Sequence, residues 1–152
     1  PCFIIKIFDI SYLNLVNEFS TNMTNKSKKI LTEISAGELF DKITILEIKL
    51  SNIKDKEKLE EINKEYKSLE ETRKSNIKIT ENLQELINEL SKINLELWNI
   101  EEKKRICEKK SDFGDDFIQL ARNVYLNNDR RAKIKLNINK LLGSNIKEVK
   151  SY

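Results

Sequence analysis

The stretch TENLQELINELSKINLELWNIEEKKRICEKK (80–110) decides the fold. Leu83, Leu86, Leu90, Ile93, Leu97, Ile100 and Cys107 recur at alternating intervals of three and four, interrupted only by Lys104. That spacing puts one apolar stripe along an α-helix. Ile87 and Trp98 add a second flank. A helix of this length is a rod of about 45 Å, and it persists in water only if it packs along that length.

The same period continues on both sides. Upstream, Ser35-Ala-Gly-Glu38 reads as a capping box, in which the Ser hydroxyl accepts from the third amide and Glu38 reaches back. It opens a helix over 36–53 with a seam of Leu39, Ile43, Leu46, Leu50 and Ile53. Phe40 and Ile48 lie off that seam, which predicts neighbours on more than one side. Asp55 is the next N-cap, for a helix over 56–74 with Leu59, Ile62, Tyr66 and Leu69 facing inward. Downstream, Ser111-Asp-Phe-Gly-Asp115 is a turn, and a last helix runs over 115–142 to Gly143, the residue suited to a left-handed cap. Residues 29–34 and 145–152 read as extended and are expected to pair as a minor two-stranded patch. The predicted fold is all-α: an antiparallel bundle of about four helices with long, coiled-coil-like hairpins. The long seam of 80–110 exceeds what the two preceding helices can cover, so a homodimer or partner helices are expected to cover the remainder.

Composition limits function. The chain has 152 residues, 35% of them charged, three Gly, one Pro and no His. Lys and Arg (28) nearly balance Asp and Glu (25), with signs interleaved, so no basic stripe for nucleic acid is expected. Without His, the usual general base, pH switch and Cys/His zinc site are missing. Cys2 and Cys107 stand alone in a chain without a secretion signal, which suits a reducing, cytoplasmic setting. Residues 1–22 (PCFIIKIFDISYLNLVNEFSTN) differ in composition from the rest. Lys6, Asp9, Asn14, Asn17 and Glu18 break the apolar run, so no membrane span is expected there. Upstream sequence joined to a start at Met23 is the reading preferred for this segment, with 23–152 as one helical domain. An amphipathic partner-binding segment anchored by Ile10, Leu13 and Phe19 is the alternative.

One polar defect interrupts the seams. On the last helix the apolar face of Phe117, Leu120, Val124, Ile134, Ile138 and Leu142 also carries Asn127 and Arg131, with Asn128 at its edge. An isolated buried guanidinium costs several kcal/mol, so a carboxylate from another helix is expected to pair with it. Glu47, Glu38, Asp41 and Glu101 are the candidates. In the structural reading, Asn127 and Arg131 form a network that fixes register or pairing. In the ligand reading, Arg131, Arg130 and Lys42, with Asn127, Glu47, Asp41 and Glu38, grip an anionic small molecule such as a sugar phosphate or nucleotide sugar. The catalytic residues remain unassigned. Glu38-x-x-Asp41 has the form of a Mg²⁺ pair, but no second acidic pair accompanies it, so neither a metal nor a cofactor is expected.

The stretches GELFDKITILEIKL (37–50), LWNIE (97–101), DFGDDFIQLARNVYLNNDRRAKIK (112–135) and INKLLGS…KSY (138–152) resemble an uncharacterised family of short bacterial proteins, catalogued only as a domain of unknown function. The resemblance runs from Ile30 to Tyr152. Members usually begin with a short strand-like segment before the GEL motif, which agrees with a start at Met23. The resemblance implies no activity. It implies an accessory role near surface-polysaccharide and glycosyltransferase genes, and it puts the motifs on Glu38–Lys49 and Asn127–Lys133.

Overall fold

A computed structural model describes residues 30–149. The expectations for residues 1–22 therefore lie outside the described residues. The chain divides after Thr32. Of the first unit only 30–32 are described, an irregular segment in which Ile30 and Leu31 are exposed. The second unit holds four helices: α1 (Ala36–Asn52), α2 (Lys56–Asn76), α3 (Glu81–Lys110) and α4 (Asp115–Leu141). All four lie within two residues of the boundaries read from apolar period and caps, and the all-α class is as expected.

The caps explain the boundaries. Ser35, Asp55 and Thr80 each accept from the third amide of the helix they open, at 3.2, 3.1 and 3.4 Å. Ser111 closes α3 in the left-handed region with φ 53°, and Gly143 follows α4 with φ 63°. Only half of the capping box at Ser35 forms, because the Glu38 carboxylate pairs with Lys135 instead.

Helix α1 is the centre of the arrangement. It packs against α2, α3 and α4, and α3 packs against α4, whereas α2 touches α1 alone. One side of α1, the Leu39/Ile43/Leu46/Leu50 seam, thus faces the α2 stripe of Leu59, Ile62, Tyr66 and Leu69. An adjoining side delivers Phe40 to the main core with Leu83, Leu90, Ile93 and Leu97 of α3 and Ile134 and Ile138 of α4. The two-sided burial expected from Phe40 and Ile48 is what the structure shows. Helix α2 has no fully buried residue. Its most sheltered polar pair is Arg73 and Glu70, joined by two hydrogen bonds of 3.1 and 2.7 Å, and the bond from Arg73 holds the Glu70 carboxyl below its usual range.

The expected two-stranded patch is a correction. Among the described residues, 30–35 and 145–149 contain no strand, and no backbone hydrogen bond joins them. A single side-chain bond, Asn145 Nδ2 to Glu33 Oε1 at 3.1 Å, links the two segments. The chain on either side is committed instead to a helix junction, where the start of α1 is met by the end of α4 and the turn that follows it. The Ala36 amide donates to Ser144 Oγ at 3.1 Å, and the Gly37 amide donates to Asn139 Oδ1 at 2.6 Å.

That junction dictates a glycine. A Cβ on Gly37 would lie 2.6 Å from the Lys135 carbonyl oxygen and 2.9 Å from Asn139 Oδ1. Gly37→Ala is expected to cost about 2–3 kcal/mol through overpacking against backbone. Gly143→Ala, where a Cβ meets nothing within 4 Å, should cost only the left-handed penalty of about 1–2 kcal/mol. Urea denaturation of both variants checks the order; equal losses would contradict the close approach.

Candidate functional site

The polar defect of α4 meets a buried acid on α1. Asp41 is 3% exposed, and its carboxylate is approached from two other helices. Arg131 Nη2 of α4 donates to Oδ2 at 3.1 Å, and Asn94 Nδ2 of α3 donates to Oδ1 at 2.9 Å. Asn94 Nδ2 also donates to Thr44 Oγ1 at 3.0 Å, and that hydroxyl turns back to the Phe40 and Asp41 carbonyls. Arg131 Nη1 donates to Asn128 Oδ1 at 3.1 Å. One helical turn further along α4, Lys135 Nζ pairs with Glu38, lies 2.9 Å from Glu148 Oε2 and 3.9 Å from Asp41 Oδ2. Three carboxylates and two cations therefore meet where α1 crosses α4.

The local sequence builds this directly. Asn128, Arg131, Lys135 and Asn139 follow at steps of three, four and four, which makes one stripe along α4. Asp41 stands four residues past Gly37 on α1, so the glycine that lets the helices approach also sets the depth of the carboxylate. Burial alone would lower the Lys135 pKa. Hydrogen bonds to Glu38 and Glu148 and the charge of Asp41 outweigh it and raise the pKa above its usual value. The amine is thus held as an ammonium, without the lone pair a Schiff-base or general-base lysine presents.

The expected site residues divide into two groups. Arg131, Asp41 and Glu38 are brought together, and Asn127 is buried on α4. Lys42 and Glu47 are on the α2 side of α1. Lys42 lies 3.7 Å from Glu65, and Glu47 accepts from Tyr66 Oη at 3.2 Å. Arg130 is exposed. Glu101, the other proposed partner of Arg131, pairs with Lys104 at 3.1 Å. Asn94, Thr44, Lys135 and Asn139 belong to the network although the sequence reading did not select them. The regular polar stripe of α4 was the available signal for Lys135 and Asn139.

Arg131 lines two of the clefts beside this network. One, of about 420 Å³, is bounded by Ile45 and Ile48 of α1, by Asn94, Leu97, Trp98, Glu101, Glu102 and Arg105 of α3, and by Arg131. The other, of about 620 Å³, lies along α4 beside Tyr125, Asn128, Lys135 and Glu148. Among the described residues no group of three or more Cys, Asp or Glu is placed to hold a metal ion. No described helix is long and apolar enough to cross a membrane.

Arg131→Met leaves the buried Asp41 with only the more distant ammonium of Lys135, 3.9 Å away. With the guanidinium itself 28% exposed, the loss should be about 2–3 kcal/mol, below the range for fully buried pairs. Arg131→Met combined with Asp41→Leu should recover part of it in the same denaturation assay, and a double variant less stable than the single one would contradict the pairing. Lys135 gives a pH signature. Its folded pKa exceeds that of the unfolded chain, so its contribution is complete below about pH 10.4 and is lost as pH rises through the folded value. Thermal melts from pH 8 to 11.5 should fall more steeply at the alkaline end for the wild type than for Lys135→Met.

The sequence model of a family of unknown function (DUF6165) matches residues 30–152, and the chain belongs to that family. No curated protein and no solved structure matches it.

Proposed function

We propose that this family member is a non-catalytic helical module that acts by pairing with a second copy of itself through the outer face of α3 and α4. The observation that supports this is the uneven cover of that hairpin. Helix α1, 17 residues long, lies on one side of α3 (30 residues) and α4 (27 residues), and α2 lies only against α1. At 100° per residue, Leu95 and Ile106 fall on the outer flank of α3, about 100° and 120° round from Asn94, which faces α1, and Leu126 falls on the side of α4 opposite Lys135. All three are among the exposed large apolar residues. A two-fold mate laid on this face would set two such hairpins side by side, in the manner of a four-helix bundle.

Asp41 already answers the charge of Arg131, and Lys42 and Glu47 are engaged with α2. The anionic-ligand reading of the same residues draws correspondingly less support. A bacterial, cytoplasmic setting, near the surface-polysaccharide machinery implied by the family resemblance, is part of this proposal.

Light scattering of the full chain at about 100 µM should give twice the 17.9 kDa subunit mass. Ile106→Glu with Leu126→Glu should return the monomer with an unchanged circular-dichroism spectrum. A wild-type monomer at that concentration would overturn the reading. So would a dimer that survives the double substitution, because its contact would then lie elsewhere, residues 1–22 included.

A further inference from the structure

The charges of the chain nearly balance in number, but the fold sorts them by helix. On α4, Arg122, Arg130, Lys133 and Lys140 all fall within about 40° of the direction opposite Lys135, at 100° per residue. All four are exposed. Asp129, the one acid between Arg122 and Lys140, lies to the side of this row. On α3, Glu81, Glu85, Glu89 and Glu96 fall within about 40° of the direction opposite Asn94, with Lys92 as the one cation among them. The first three are exposed and Glu96 is half-buried. None of these eight side chains joins an ion pair among the described residues.

The two rows turn the same way. Lys135 and Asn94 both reach toward α1, so the directions opposite to them lie on the side of the hairpin away from it. Side by side on adjacent helices and pointing outward, the rows do not meet within one chain. Their heights nevertheless match. Asn94 and Arg131 stand level, because both reach Asp41. Glu85 lies nine residues before Asn94 and Lys140 nine after Arg131, so on antiparallel helices both lie about 13 Å from that level, toward the same end. Glu96 and Arg130 lie just past it, toward the turn.

We infer that the second copy is related by a two-fold axis parallel to the α3–α4 hairpin, so that each acidic row meets the basic row of its mate. This arrangement presupposes the pairing proposed above and names the surfaces that meet. Such an axis preserves height and exchanges the helices, which sets Glu85 against Lys140 and Glu96 against Arg130 of the other copy, twice over. Leu126 stands between Arg122 and Arg130 in the basic row, so the apolar contact and the charge contact share one face. A perpendicular axis in the same face would set α3 on α3 and α4 on α4, and leave neither row opposite the other. Complementary rows of this kind fix orientation and partner choice more than raw affinity, as flanking charges do in coiled coils.

Two variants of the full chain test this. Arg130→Glu with Lys140→Glu makes the α4 row acidic, and Glu85→Lys with Glu96→Lys makes the α3 row basic. None of these side chains has an ion pair to lose, so the thermal melts should stay near that of the wild type. Each variant alone should associate about tenfold or more weakly than the wild type in sedimentation, since like charges then face each other at both contacts. Mixed in equal amounts, the two should recover near wild-type association, as a heterodimer resolved by native mass spectrometry. Raising sodium chloride from about 0.1 to 1 M, which cuts the screening length from roughly 10 to 3 Å, should weaken the wild-type dimer and the heterodimer alike. Wild-type association that persists in both variants overturns the inference and leaves the dimer itself standing. A mixture that stays as weak as its components does the same. A monomeric wild type overturns both readings and leaves the basic row to an external polyanion, which titration with inorganic polyphosphate would reveal.

Discussion

A single carboxylate sets the relation of three helices. Asp41 belongs to α1, takes a guanidinium N–H from α4 and an amide N–H from α3, and is almost wholly removed from solvent. Apolar seams at three- and four-residue spacing could slide by a turn and still bury similar area. A buried charge cannot, because a slip would leave Asp41 without Arg131 at a cost of several kcal/mol. Such a network is suited to fixing register more than to adding net stability, as a buried polar residue is in a coiled-coil seam.

The close approach at Gly37 makes this geometry possible. Where the chain enters α1, two free amides are met by Asn139 and Ser144 of the α4 end, so the start of one helix and the end of another satisfy each other. Lys135 sits between that junction and Asp41 and collects Glu38 and Glu148. The GEL and NDRRAKIK motifs are thereby two sides of one contact. They lie far apart in sequence and make sense only together.

Helix α2 stands outside this system. It leans on α1 alone, buries no residue fully, and its best-sheltered interaction is an internal Arg73–Glu70 pair. The α3–α4 hairpin is covered on one side and open on the other among the described residues. A bundle so constructed has a rigid centre around Asp41, a lightly held flank and a long outer face.

Apolar period, caps and turn residues determined the four helices, because these are local properties of a chain at 3.6 residues per turn. The sequence also showed that Arg131 needed a carboxylate, since a desolvated guanidinium permits little else. Which carboxylate answered could not be read from it. Glu38, Asp41 and Glu47 are spread around one helix, and only the crossing of α1 with α4 at Gly37 turns Asp41 and Glu38 inward and leaves Glu47 to Tyr66. The parts played by Asn94 and Asn139 were likewise decided by tertiary structure. An asparagine beside an apolar seam is polar in sequence whether it faces water or a buried acid, and only the neighbouring helix distinguishes the two.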